Sequence, residues 1–192
     1  MKITTRPLSR MKKVLLDPNA RGPEWTYLMV RHLPLLSQKG KSCDLTVLRP
    51  NRLGLEFNKT FGHIHTGKAS ETYRVLVGKA LFLRQQMKSR DVIAKLQLTL
   101  VAAGEEIIVP AGWHHEVINL GRGPLLLLNW IRKDVKNDYH LIEEQQGFGY
   151  YVVESQDPTR EFELVRNNNY EKVPKVRRTE LKMQNSNVKA TA

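Results

Sequence analysis

Polar and hydrophobic positions alternate with a period of two through most of the chain between residues 43 and 165. The clearest run is Lys95 to Leu100, in which leucine occupies every second position. This period is typical of strands, because successive side chains point to opposite faces of a sheet. It predicts strands near residues 43–49, 59–65, 71–77, 80–86, 92–100, 106–109, 114–120, 124–131, 148–154 and 161–165. Many short strands with short connections favour an all-β sandwich or barrel.

The two ends of the chain do not follow this pattern. Residues 1–40 contain four prolines between short apolar patches, so we expect an arm packed on the barrel with a helical turn near residues 24–31. From about residue 171 the sequence is polar, basic and poor in large apolar residues, which is typical of a mobile tail. The expected organisation is an arm over 1–40, one domain over 41–170 and a tail over 171–192.

Length and composition exclude some classes of protein. A chain of 192 residues can bury a sizeable core as one domain. The single cysteine, Cys43, cannot form an internal disulfide, and no apolar leader is evident, so we expect a cytoplasmic protein. The longest apolar run, Leu125–Leu128, is far shorter than the roughly 20 residues of a membrane-spanning helix. We expect no contact with a membrane.

The net charge of +12 raises the question of an anionic partner. Most of the excess lies at the ends, since residues 1–22 and residues 171–192 each carry six Lys or Arg. The sequence has no basic helix with interleaved aromatic residues and no zinc-finger spacing. A solvated charged surface explains this distribution most simply, an anionic small molecule is the next interpretation, and nucleic acid is the least favoured partner.

Three residues with metal-ligand side chains lie close together in the first half of the predicted barrel. His63 and His65 are two residues apart on a predicted strand, so both imidazoles can face the same point. Glu71 begins the next alternating run, after a turn that contains Gly67. One His-x-His pair alone is more often an ordinary feature of a strand, but the added carboxylate favours a metal site.

A second histidine pair, His114-His115, lies about fifty residues further along the chain. On a strand, His115 shares its face with Val117, whereas His114 shares the other face with Glu116. We expect Glu116 to point outward, which makes His115 the fourth ligand and leaves His114 at the surface. Three imidazoles and one carboxylate suit one borderline divalent ion per chain: Fe²⁺ as the first choice, otherwise Mn²⁺, Ni²⁺, Co²⁺ or Zn²⁺.

These two segments resemble the two sequence motifs of the cupin superfamily. The first motif is matched by His63, His65, Glu71 and Gly78, and the second by Gly104, Pro110, Gly112, His115 and Asn119. The resemblance implies a double-stranded β-helix, the jelly-roll barrel of the cupins.

A narrower resemblance surrounds the first motif. The segment from Gly54 to His65, followed by Glu71-Thr72-Tyr73, is similar to the signature of the cupin-type glucose-6-phosphate isomerases. Asp138-Tyr139 and Gly147-Phe148 look like later elements of that family, so the likeness covers roughly residues 25–155. Among the departures from the family pattern, Ile131 replaces a tyrosine and Asn137 replaces a histidine.

The resemblance implies interconversion of glucose 6-phosphate and fructose 6-phosphate through a metal-stabilised enediolate. It implies catalytic roles for Glu71 and Tyr73, and a homodimer. Glu71 would act as metal ligand, as proton-transfer base or as both, and a metal-assisted hydride shift is an alternative route. By the same likeness the substrate phosphate would be bound by Thr46, Thr60, the backbone N–H of Gly62 and Tyr139.

Other functions are compatible with parts of this pattern. A cupin with the same ligands could act on another sugar phosphate, or as a dioxygenase if it binds Fe²⁺ with open positions. A sensor that keeps the metal but not the reaction would bind a sugar phosphate without turnover. A polyanion-binding protein is indicated by the charge alone.

Overall fold

The computed structural model describes residues 2–176, and β-strands make up most of its regular structure. The strands are β1 (Lys2–Pro7), β2 (Trp25–Arg31), β3 (Lys41–Leu48), β4 (Arg52–Leu53), β5 (Glu56–Phe57), β6 (Ile64–His65), β7 (Glu71–Val77), β8 (Lys79–Met87), β9 (Ile93–Ala102), β10 (Glu106–Val109), β11 (His114–Asn119), β12 (Leu125–Arg132), β13 (Asn137–Asp138), β14 (Tyr150–Glu154) and β15 (Phe162–Arg166). The helices are short: α1 (Leu8–Met11), α2 (His140–Glu144) and 3-10 turns at Lys12–Val14 and Pro34–Leu36.

The strands form one large sheet and three smaller ones. The large sheet has the order β1-β2-β3-β12-β7-β10, a second has the order β11-β8-β9, a third has the order β15-β14-β5-β4, and β13 pairs with β6. Every pair of named strands is antiparallel. One hydrophobic core joins the sheets, since it contains Leu127 of β12 together with Leu81 of β8 and Leu98 of β9. The predicted all-β double-stranded β-helix is confirmed.

The N-terminal segment differs from the expectation at one point. The helical turn expected near residues 24–31 is wrong, because Trp25–Arg31 is the strand β2. Its apolar residues are held by two neighbours, with β1 on one side and β3 on the other. Residues 1–40 therefore extend the large sheet by two strands, which brings β1 near the site described below.

The predicted strand at 59–65 is shorter in the structure. Regular pairing is limited to β6, while Lys59 and His63 form isolated bridges to Ile118 and His115 of β11. At the other end, Lys172 forms a bridge to Val92, so the chain follows the barrel beyond residue 170. The predicted mobility of the tail concerns mainly residues 177–192, which lie outside the described residues. No helix among residues 2–176 is long and apolar enough to cross a membrane.

Candidate active site and metal centre

Four side chains with metal-ligand atoms converge inside the barrel. One ligand atom from each of His63, His65, Glu71 and His115 lies within 4.8 Å of all the others. His65 ends β6, Glu71 begins β7, and His115 lies on β11, so three strands and the residue preceding β6 contribute. The structure thus brings together the four residues that the sequence singles out as ligands.

The backbone fixes the relative position of the two histidine segments. The N–H of His63 donates to the carbonyl of His115 at 3.1 Å, and the N–H of His115 donates back to the carbonyl of His63 at 2.9 Å. The two imidazole rings consequently lie with centroids 4.4 Å apart. This reciprocal pair holds both rings on the same side of the barrel wall.

The carboxylate of Glu71 is the centre of the cluster. Its Oε2 lies 2.7 Å from Nε2 of His65 and 3.0 Å from Nε2 of His115, and it accepts a hydrogen bond of 2.8 Å from the hydroxyl of Tyr73. Its Oε1 accepts a hydrogen bond of 2.7 Å from the amide of Asn129. Both carboxylate oxygens are therefore oriented by neighbours that are themselves buried.

The protonation states of the cluster suit a cation. Burial acts to raise the pKa of Glu71, but its contacts with His115 and His65 outweigh burial and bring the pKa below the usual range. Burial, reinforced by His115, holds the pKa of His63 well below its usual value. Burial and the charge of Glu71 raise the pKa of Tyr73 well above its usual value. The ionised carboxylate of Glu71 and the neutral imidazole of His63 are forms that bind metal ions, while Tyr73 stays a hydrogen-bond donor.

The pattern of hydrogen bonds leaves ligand atoms without protein partners. Nε2 of His63 and Nδ1 of His65 are buried and make no hydrogen bond to any residue of the described chain. Nδ1 of His115 faces the carbonyl of Trp113 at 3.4 Å, and a proton on Nδ1 would leave the lone pair of Nε2 for an ion. A buried polar atom without a partner is costly, and a divalent ion bound at the cluster would satisfy Nε2 of His63. The donor set fits the borderline ions predicted from the sequence.

The expectation for the opposite face of β11 is wrong. His114 and Glu116 were assigned to the surface, but they are only 6% and 1% exposed. Glu116 lies 3.6 Å from the ammonium of Lys59, which also forms an ion pair of 2.8 Å with Glu56. The C-terminal segment covers this face, as the distance of 5.2 Å from the Lys59 ammonium to the ring of Tyr151 indicates. His115 points into the barrel, although the adjacent residues His114 and Glu116, on the other face of β11, are buried as well.

A cavity opens beside Glu71 and contains all the predicted substrate residues. Thr46, Thr60, Gly62 and Tyr139 line it, together with His63, Glu71 and Tyr73. Thr60 accepts a hydrogen bond of 2.9 Å from the N–H of Val117, so its own hydroxyl proton is available to a ligand. The predicted phosphate donors therefore share one cavity with two residues of the cluster, His63 and Glu71.

Gly62 has a structural reason to be glycine. Its φ is +79°, and a Cβ at this position would lie 2.9 Å from Cζ of Phe148 and closer still to Cε2. The ring of Phe148, from the Gly-Phe element, thus packs directly on the backbone of residue 62. Gly62 itself lines the cavity.

Four polar residues of the cavity wall were not predicted. They are Arg6, Tyr27, Arg31 and Asn129. Asn129 carries a signal, since it lies on the inward face of β12 with Leu125 and Leu127 and is a polar residue in an apolar run. The other three belong to β1 and β2, where no motif marks them.

Comparison with known proteins assigns the chain to a family. Residues 30–173 match the family model described as glucose-6-phosphate isomerase (GPI). The chain belongs to this family. The glucose-6-phosphate isomerase of Thermococcus litoralis is 32% identical over 164 residues, which is 80% of this chain and 81% of the relative. That of Pyrococcus abyssi is 31% identical over 160 residues, 78% of this chain and 79% of the relative. The resemblance found in the motifs is confirmed.

Proposed function

We propose that this member of the glucose-6-phosphate isomerase family interconverts glucose 6-phosphate and fructose 6-phosphate. The observation that carries the proposal is the convergence of three histidines and Glu71 at one side of a cavity that also contains Thr60, Gly62 and Tyr139. A sugar phosphate needs both halves of such a site. The reacting carbons need charge stabilisation and a proton-transfer group, and the phosphate needs hydrogen-bond donors.

We propose that His63, His65, Glu71 and His115 hold one divalent ion, Fe²⁺ first and otherwise Mn²⁺, Ni²⁺, Co²⁺ or Zn²⁺. When bound, the ion would polarise the sugar carbonyl and stabilise the negative charge that develops on the neighbouring oxygens. The buried, unpartnered Nε2 of His63 supports this assignment.

Glu71 is the proposed group that carries the proton between the carbons. Its carboxylate is ionised and lines the cavity, so it can accept the proton from C2 of the aldose and return it to C1. Tyr73 keeps its hydroxyl proton and holds Oε2 of Glu71 at 2.8 Å, while Asn129 holds Oε1. The hydrogen bonds to both oxygens fix the carboxylate plane and favour the ionised form.

Neutral donors of the wall are proposed to bind the phosphate. Thr46 and Thr60 offer hydroxyls, Gly62 its backbone N–H, and Tyr139 its phenol. Asn137 orients the phenol, because its amide donates to the hydroxyl oxygen of Tyr139 at 3.1 Å and leaves the phenolic proton for a ligand.

One observation favours a second candidate, isomerisation of another sugar phosphate. Asn137, which replaces the histidine of the family pattern, lies in the cavity wall and therefore at a position that can contact substrate. Ile131, the other altered position, is not among the described residues that line the cavity. The substitution at 137 thus bears more directly on the choice of sugar than the one at 131.

The test is conversion of fructose 6-phosphate by purified protein that is loaded with each of the five ions in turn, with Mg²⁺ for comparison. A panel of aldose and ketose phosphates, assayed in parallel, separates the two candidates. Glu71→Gln should lower the rate at least 100-fold, since it removes the base and one metal ligand. Glu106→Gln is the matched control, because Glu106 is exposed and, among the described residues, pairs with Arg74 alone.

Three outcomes decide between the alternatives. Conversion of fructose 6-phosphate that Glu71→Gln abolishes supports the proposal, and preference for another sugar phosphate supports the second candidate. Binding of sugar phosphates without conversion by any metal form would instead identify a sensor.

The homodimer and the cytoplasmic location remain predictions, and sedimentation of the purified protein tests the first of them.

A further inference from the structure

Arg6 lies in the cavity wall although it belongs to the N-terminal strand β1. Its position is fixed by strand pairing, because Arg6 faces Tyr27 in the β1–β2 ladder. Nε of Arg6 donates a hydrogen bond of 3.0 Å to the hydroxyl of Tyr27. The segment that matches the isomerase family begins at residue 30, so Arg6 lies outside it.

Aromatic rings surround the guanidinium group. Its central carbon lies 5.1 Å from the ring centroid of Phe61, 5.7 Å from that of Tyr139 and 5.8 Å from that of Tyr27. Such contacts stabilise a cation and restrict its motion, but they do not neutralise its charge. The guanidinium is therefore held in one place with its charge intact.

No carboxylate among residues 2–176 forms an ion pair with Arg6. The second arginine of the wall, Arg31, differs, since it forms an ion pair of 2.8 Å with Asp44. Glu71 is the one carboxylate among the described residues that line the cavity, and its oxygens are already bound by other side chains. A partly buried cation without a counter-charge favours the entry of an anion.

Free donors lie around the same point. The hydroxyl of Tyr27 accepts hydrogen bonds from Arg6 and from the N–H of Phe61 at 3.3 Å, so its own proton is available. Thr60 and Gly62 flank Phe61, whose ring lies against the guanidinium. A phosphate monoester carries a charge of about −1.5 to −2 near neutral pH and accepts several hydrogen bonds, which matches one cation surrounded by neutral donors.

We propose that Arg6 is the charged binding residue for the phosphate group of the substrate. The inference rests on the proposed sugar-phosphate site and adds to it a counter-charge that the predicted neutral donors cannot supply. It also means that recognition of the phosphate depends on the N-terminal strand, and that the barrel segment alone binds phosphate esters poorly.

The test measures binding of inorganic phosphate by titration calorimetry, with metal-free protein so that binding is separated from turnover. Arg6→Met should weaken binding at least about 10-fold, because it removes a charge-assisted, two-pronged contact. Arg6→Lys keeps the charge but not the fork and should show an intermediate loss. Arg10→Met is the matched control, since Arg10 lies four residues away and makes only an exposed contact of 3.5 Å with Glu143. It should bind phosphate as the unaltered chain does.

Circular dichroism and thermal unfolding of each variant establish that it is folded before binding is compared. If Arg6→Met does not fold, the comparison of Arg6→Lys with the unaltered chain decides, and equal phosphate affinity in these two overturns the proposal. Equal phosphate affinity of a folded Arg6→Met protein and the unaltered chain also overturns the proposal.

Kinetics of the metal-loaded enzyme give a second measurement. There Arg6→Met should raise KM for the sugar phosphate with a smaller change in kcat. Phosphate binding that Arg6→Met weakens, in a chain that isomerises no sugar phosphate, would retain the role of Arg6 and reject the isomerase.

Discussion

The amide of Asn129 donates a hydrogen bond of 2.7 Å to Oε1 of Glu71, the carboxylate oxygen that the histidines do not contact. Asn129 is buried and lies on β12, next to the strand that carries Glu71. The bond directs the other oxygen, Oε2, toward His65 and His115. Asn129 thus acts on the site through the orientation of Glu71.

Asn129→Leu keeps the volume of the side chain and removes this bond. We expect the affinity for the divalent ion to fall about 10-fold, as for other residues that orient a metal ligand. Competition with a chelator measures the change. Leu128→Met, on the neighbouring position of the same strand, should leave the affinity unchanged. An Asn129→Leu protein with unaltered metal affinity would show that the contacts to Oε2 suffice to orient Glu71.

The two adjacent histidines of β11 should differ in their effect on metal content. His115→Ala removes a residue of the convergent cluster and should abolish stoichiometric metal binding, whereas His114→Ala should retain the ion. Metal analysis after gel filtration checks both. Both side chains are buried, so the comparison controls for a general loss of packing. Loss of metal in both variants, with both still folded, would contradict the assignment.

Gly62→Ala should destabilise the protein more than Gly67→Ala. Both residues have positive φ, +79° and +82°, so both variants carry the same backbone cost of about 1–2 kcal/mol. Only residue 62 meets the ring of Phe148, and this overlap should add on the order of 1–3 kcal/mol. Urea unfolding of the two variants gives the difference. Equal destabilisation would mean that Phe148 moves aside at little cost.

Lys59 and Lys79 both form ion pairs, but only the first is buried. Lys59→Met leaves Glu56 without its partner at 2.8 Å in a site where both side chains are about 2% exposed or less, and should cost about 3–5 kcal/mol. Lys79→Met removes a pair with Glu161 in which both side chains are 43% exposed, and should cost about 0–1 kcal/mol. Unfolding free energies of both variants test this. Similar small losses would show that the buried charges reach water.

Several barrel strands were predictable because one face points toward the core and the sequence records that alternation. The predicted strand at 71–77 coincides with β7, and that at 106–109 with β10. Strand β2 was not predictable in the same way. Its run from Trp25 to Val30 is almost continuously apolar and has no period that separates strand from helix. The backbone of β1 and β3 decides its conformation through long-range pairing.

The convergence of the four ligand-type residues was accessible from sequence because it depends on strand parity and short spacing. Burial on the second face of β11 was not, since it depends on where the segment around Tyr151 packs after the barrel is complete. The same limit applies to Arg6, whose role depends on the pairing of β1 with β2. Contacts between segments distant in the chain have no local pattern to indicate them.

The reciprocal backbone bonds between His63 and His115 have a consequence for how an ion would be exchanged. They close a loop of roughly fifty residues through the fold itself, so the entropy of bringing the two segments together is lost on folding and not on metal uptake. A chain whose ligands are already assembled can release and take up an ion without refolding. Chelation should therefore yield a folded protein in which the ion can be replaced. The ion bound to the protein in a cell would then follow the ions that the cell makes available.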